Sequence, residues 1–248
     1  MNSIILVLFA ILGLVPSLIW LIYYLKKDPN PEPRHLLLEV FFAGAFSAIP
    51  AALCETGLQD YYLPHFGLST STVLGTIIFY IFGVGLFEEY FKYQAFKMPV
   101  AEHNEFNEPV DAMIYMTTAA LGFAALENVG SLFNLFGKYP NDIYLIGAGL
   151  GLMLGRFLTA TLLHVSCSAL FGYFYSKNII KKHSHHFPIW ALFLVAIIHG
   201  TYNLILIYFG SAGANGALWG SVVTLSYVAI LAIIVTPLFK KILVEKFV

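Results

Sequence analysis

The chain has 248 residues, of which 59% are hydrophobic and 11% charged, with a formal net charge of -1. Soluble domains carry roughly a quarter of charged residues, so this composition excludes an ordinary soluble enzyme and indicates a membrane protein. Near-neutrality excludes nucleic acid as a partner, because no basic face is available to release counterions. The two cysteines, Cys54 and Cys167, make neither a disulfide framework nor a thiolate cluster and read as small packing residues.

The first apolar run, Ile4 to Leu25, carries its lysines behind it, at Lys26 and Lys27. A secretory signal has its positive charge in front, so the run reads as a retained helix with its N-terminus outside. Six further spans follow from length, roughly Leu36–Leu53, Ser71–Phe96, Val110–Phe136, Ile143–Tyr175, Ile189–Phe209 and Leu218–Phe239. The fifth run is too long for one plain span. Its glycine-rich part, up to Gly155, suits a half-helix or re-entrant segment before a full span from about Arg156. The expected fold is all-α, a single transmembrane domain over residues 1–248, with seven spans or eight if the segment near 143–155 counts separately. Loops on one side hold Lys26, Lys27, Arg34, Lys97, Lys177, Lys181, Lys182, Lys240, Lys241 and Lys246, and the other side holds only Lys138. This asymmetry places the N-terminus outside and the C-terminus in the cytoplasm.

Five charged residues fall inside spans: Glu88, Glu89, Lys92, Glu127 and Arg156. An ionisable group in a bilayer costs a few kcal/mol even on the mildest scale, so such groups face the bundle interior and mark function. His164 and His199 join them, each in apolar surroundings. Lys92 lies four residues after Glu88 and three after Glu89, so both carboxylates approach it on one helix face. His199 and Asn203 share a face by the same rule, as do Phe123 and Glu127, with Asn128 adjacent. Helical rise puts Glu88, Glu89, His164 and His199 on the order of 12–18 Å from their cytoplasmic helix ends, where they can meet. By the same rise Glu127 is roughly 25 Å from Pro109, too far out unless the first turns of its helix stand proud of the membrane.

Two adjacent buried carboxylates cannot both ionise cheaply and share protons as a unit, which suits one of them to take a proton from water. Lys92 would hold the pair in place, and a histidine can share the water, shuttle the proton or bind a metal. Asn203 offers an NH2 donor to the oxyanion of a tetrahedral intermediate. This inventory supports water-dependent amide hydrolysis without a covalent intermediate. Ser166 and Ser168, near His164, form no nucleophile motif. Arg156 divides evenly between a site partner and a residue reaching the outer interface. His183, His185 and His186, beside Lys181 and Lys182, resemble a metal tract but read better as a solvated basic loop.

The order Glu88-Glu89-x-x-Lys92, Gly122-Phe123-Ala124-Ala125-Leu126-Glu127-Asn128, Arg156 with His164, and His199-Gly200-Thr201-Tyr202-Asn203 resembles the PrsW family of intramembrane proteases. The segment Asp28-Pro29-Asn30-Pro31-Glu32-Pro33 looks like that family's first cytoplasmic loop. The resemblance implies a bacterial cytoplasmic-membrane protease that makes a site-1 cut in a membrane-anchored anti-sigma factor, beginning a stress-signalling cascade. It also implies kinship with CAAX prenyl proteases and bacteriocin-processing enzymes, in which paired glutamates and a histidine activate water. Carried over by position, Glu88 and Glu89 match the glutamate pair, and His199 with Asn203 matches the last motif. This chain has Lys92 after two residues where the wider superfamily has an arginine after three, and Glu127 where it has a histidine, whose place His164 takes from another helix.

The expected catalytic residues are therefore Glu88, Glu89, Glu127, His164, His199 and Asn203, with Lys92, Asn128 and Arg156 supporting. A divalent metal such as zinc would fall to His164 and His199. The expected partners are a membrane protein or peptide substrate and the lipid bilayer. One rival keeps the enzyme class but takes prenylated or short peptides. A second is a proton- or cation-coupled transporter, since buried Glu–His–Lys clusters also serve as relays, although no internal repeat supports it. A third is a non-catalytic scaffold.

Overall fold

A computed structural model describes residues 2–140, 143–182 and 187–246. The apolar runs become helices because a backbone out of water must satisfy its own hydrogen bonds, which a helix does within one segment. The helices are α1 (Asn2–Leu25), α2 (Arg34–His65), α3 (Val73–Val100), α4 (Asp111–Lys138), α5 (Leu145–Leu158), α6 (Ala160–Lys182), α7 (Ile189–Gly210) and α8 (Gly213–Ile242). Among the described residues there is no strand, and seven helical segments are long and apolar enough to cross a membrane, α5 and α6 counting as one.

Burial is inverted relative to a soluble protein. Along α1, Ile4, Val7, Leu8, Ile11, Leu18 and Ile22 are exposed, whereas Glu88, Glu89, Lys92, His164 and His199 are buried. An apolar exterior around an ionisable interior is what a lipid solvent selects.

Helix α4 is central and packs against α1, α2 and α6. Its first fifteen residues, Asp111 to Ala125, are buried without interruption. Its contact with α2 is a backbone-to-backbone approach: a Cβ on Gly122 would lie 1.9 Å from the Phe41 carbonyl oxygen, and one on Gly44 would lie 2.0 Å from that of Ala119.

The spans differ from the sequence expectation at their ends. Helix α2 runs on to His65 through a π-helical turn, Leu58–Tyr62, so Glu55 and Cys54 lie inside it rather than at its end. The fifth run divides, but at Thr159 rather than Gly155. Thr159 leaves the helical basin (φ -122°, ψ -84°), and its hydroxyl donates back to the Gly155 carbonyl at 2.8 Å. The histidines expected in a basic loop, His183, His185 and His186, lie outside the described residues.

Candidate active site

Helix α3 carries the glutamate pair directly after a π-helical segment, Phe79–Gly85. π-turns widen a helix and are frequent at functional sites. Here the segment packs on α7, and the approach is close on both sides. A Cβ on Gly85 would stand 2.3 Å from the Ala196 carbonyl oxygen, and one on Gly200 would stand 2.5 Å from that of Tyr80. Glycine is required at both positions. Gly85 sits one turn before the glutamates and Gly200 beside His199, so this contact sets how far apart the glutamate pair and His199 lie.

Across it, the His199 Nδ1–H donates to Glu89 Oε1 at 2.8 Å. Lys92 Nζ donates to the same oxygen at 2.9 Å and to Glu88 Oε2 at 3.2 Å. Ser168, from α6, donates to Glu89 Oε2 at 3.4 Å. Both oxygens of Glu89 are thus occupied. Among the described residues Glu88 makes its polar contacts through Oε2, with His164 Nδ1 at 3.7 Å and His199 Nε2 at 3.6 Å.

His164 bridges the two ends of the cluster. Its Nδ1 is 2.6 Å from Lys92 Nζ, and since an ammonium can only donate, Nδ1 accepts. The ring proton therefore sits on Nε2, which donates to Glu127 Oε2 at 2.7 Å. Arg156 reaches the same carboxylate oxygen at 3.3 Å and donates to Asn128 Oδ1 at 2.5 Å, and Asn128 donates to Thr161 at 3.3 Å. Arg156 thus reaches Glu127 and Asn128 inside the bundle rather than turning away from them.

Glu127 joins the cluster despite its estimated depth. The reason is helix length: α4 begins at Asp111 and α6 ends at Lys182, so Glu127 is sixteen residues from one end and His164 eighteen from the other.

Three carboxylates, Glu88, Glu89 and Glu127, face two basic side chains, Lys92 and Arg156. The charge balance leaves room for a proton or a metal cation. Glu88, His164 and His199 bring one ligand atom each within 4.8 Å of the others, all three buried. The donor set fits a metal. Each histidine gives its other N–H to a carboxylate, His164 to Glu127 and His199 to Glu89, which leaves His164 Nδ1 and His199 Nε2 with lone pairs toward Glu88. Lys92 would have to withdraw from His164 Nδ1 to admit the ion.

Two cavities reach the cluster. One of about 410 Å³ lies between α5, α6 and α7, with Glu88, Glu127, Arg156, His164, His199 and Asn203 among its lining. Asn203 is half-buried there, one turn after His199, and its amide makes no hydrogen bond among the described residues. A second, of about 390 Å³, reaches Glu88 and Glu127 from the side of α2 and is lined also by Glu55, Phe123 and Leu126. Glu55 escaped the sequence reading, and Ser168 was weighed there only as a nucleophile, not as a donor to Glu89. The signal for Glu55 was an acidic residue two positions past the end of an apolar run at Leu53.

Residues 32–237 match the model of a family described as PrsW family intramembrane metalloprotease. The chain is similar to proteins called Protease PrsW from three bacteria. Identity is 27% with that of Geobacillus kaustophilus, over 79% of this chain and 78% of the relative. It is 28% with those of Oceanobacillus iheyensis (80% and 83%) and Bacillus subtilis (80% and 84%). No solved structure matches.

Proposed function

We propose that this chain, which belongs to the PrsW family of intramembrane metalloproteases, cuts a membrane-anchored protein with a water molecule activated by Glu88. The chain is a membrane-embedded peptidase and an integral membrane protein whose relatives are bacterial. The roles of its residues and its substrate are our reading. The observation that carries the assignment to Glu88 is the asymmetry of the pair. Glu89 has both oxygens engaged by Lys92, His199 and Ser168, whereas Glu88 Oε1 makes no hydrogen bond among the described residues and Glu88 lines both cavities.

On this reading the Glu88 carboxylate takes a proton from water as the water oxygen attacks the scissile carbonyl carbon. The Asn203 amide donates to the oxyanion that develops. As the C–N bond breaks, Glu88 returns the proton to the leaving nitrogen, giving a carboxylic acid and an amine, and the acid's proton passes to the amine so that they leave as carboxylate and ammonium. Glu89 orients His199, Glu127 orients His164, and Arg156 and Asn128 hold Glu127. Glu88, His164 and His199 would hold a divalent metal such as zinc, which when bound polarises water and carbonyl oxygen as a Lewis acid. The substrate would be an anti-sigma factor or a similar single-span protein, its chain entering the cavity between α5 and α7. The lysine-rich ends of the helices would face the cytoplasm.

The test compares new protein N-termini in membranes of cells making the wild type or Glu88→Gln, Glu89→Gln protein at equal levels. N-termini confined to the wild type support the reading and name substrates. Identical sets under several envelope stresses would remove it, and ion-flux assays on the same pair would then examine transport.

A further inference from the structure

The loop between α1 and α2, Asp28-Pro29-Asn30-Pro31-Glu32-Pro33, carries two acidic residues that peptide hydrolysis does not use. They meet a third at the first residue of α4. Asp28, Glu32 and Asp111 each bring a carboxylate oxygen within 4.8 Å of the others. Among the described residues none of the three forms an ion pair with a basic side chain. Asp28 is 7% exposed; its Oδ1 accepts the Asn30 N–H at 2.9 Å, while its Oδ2 is buried and has no hydrogen-bond partner. Asp111 Oδ2 accepts the N–H groups of Asn107 and Glu108, at 2.9 and 2.7 Å. Glu32 Oε2 accepts the Tyr115 hydroxyl at 2.5 Å.

Three carboxylates so placed need a positive charge or protons. Burial lifts the Asp28 carboxyl above its usual range and pushes that of Glu32 up to about 8. Their donor atoms are all oxygens, which favours hard cations over zinc or copper and separates this cluster from the glutamate–histidine centre. The prolines at 29, 31 and 33 fix the loop backbone, so the acidic side chains are presented with little ordering left to do. A cavity of about 360 Å³ is lined by Asn30, Asn107 and Glu108, whose N–H groups bond to Asp28 and Asp111.

We propose that Asp28, Glu32 and Asp111 bind a hard divalent cation, of the calcium or magnesium kind, that pins the loop after α1 to the start of α4. Helix α4 is the element that presents Glu127 and Asn128, so the ion fixes the helix on which the active site hangs. The reading is independent of the proteolytic one and uses none of its residues.

The experiment takes the full-length protein in detergent, stripped with chelator, with Glu88→Gln and Glu89→Gln installed to disable the other centre. Terbium(III) is the probe, excited through tyrosine, because Tyr115 contacts Glu32. Saturable luminescence is expected, displaced by millimolar calcium or magnesium and reduced at least fivefold by adding Tyr115→Phe or the pair Asp28→Asn, Glu32→Gln. The isosteric pair keeps the Tyr115 acceptor, and a melting curve in chelator establishes that it is folded. In the wild-type chain, calcium or magnesium should raise the melting temperature by several degrees, and in the isosteric pair by none. No saturable luminescence, luminescence indifferent to the three substitutions, or a wild-type melting temperature unmoved by either ion would overturn the proposal. In that case the carboxylates share protons alone.

Discussion

Replacing Gly200 by alanine adds one methyl group at the contact that sets the distance between α3 and α7. The new Cβ would lie 2.5 Å from the Tyr80 carbonyl oxygen and 2.7 Å from Ile81 Cα, where ordinary contact begins at 3.4 Å. These are backbone atoms and cannot rotate away, so the helices must part by about 1 Å. His199 rides on α7 and Glu89 on α3, and their 2.8 Å hydrogen bond would open to a distance at which it no longer forms. Overpacking of this kind costs about 1–3 kcal/mol of stability, which a helical membrane bundle survives. A displacement of about 1 Å at a catalytic group costs on the order of 100-fold in rate. We therefore expect Gly200→Ala to insert, fold and melt within several degrees of wild type while losing about 99% of its cleavage rate. The assay is the rate at which substrate-derived N-termini appear in membranes carrying equal amounts of each protein. Gly147→Ala, where an added Cβ meets nothing within 4 Å, is the control and should be silent. Gly200→Ala cleaving within threefold of wild type would refute the argument that this helix contact sets the site.

Further outcomes follow from the same geometry. Asn203→Ala should lower the turnover number by about 100–1,000-fold with little change in KM, the loss typical of an oxyanion donor; a raised KM with the turnover number unchanged would show that Asn203 only binds substrate. His164→Ala and His199→Ala should each lower the zinc content of purified protein, measured by mass spectrometry, to less than half of wild type, and a wild-type value in both would exclude them as ligands. In chelator, the stability contributed by Glu32 should be fully present below about pH 4.5 and fall away as pH rises to about 8, because the folded chain holds that proton longer than the unfolded one. Melting curves of wild type and Glu32→Gln across that window check the sign: the variant should show the smaller decline.

Much of this arrangement could be read before any coordinates. Apolar length revealed the seven spans because a bilayer demands it, and the cost of a charge in lipid singled out Glu88, Glu89, Lys92, Glu127 and Arg156. Span ends were less legible. Hydropathy stops at the first polar residues, whereas a helix continues past them wherever its backbone bonds do, as α2 does beyond Glu55. The same effect misjudged Glu127: its depth was measured from Pro109 and that of His164 from a helix end set several residues short of Lys182. The π-helical segment before Glu88 and the break at Thr159 leave no mark in a pattern of apolar residues. Both lie beside contacts across the bundle, Gly85 against Ala196 in the one case and Arg156 reaching Glu127 in the other. The division of labour between Glu88 and Glu89 was equally hidden, because it turns on which oxygens their neighbours engage.

The claim at the centre of this account is that Glu88 activates the water that cuts a membrane-anchored chain. It is tested most directly with purified components. Wild-type and Glu88→Gln proteins would be reconstituted separately in lipid vesicles with one substrate identified from its new N-terminus, and cleavage followed by mass spectrometry of both fragments. The account predicts a single cut by the wild type and at least a thousandfold slower cutting by Glu88→Gln, with substrate still captured by both. Cleavage by Glu88→Gln at the wild-type rate, or none by the wild type with its metal supplied, would contradict it.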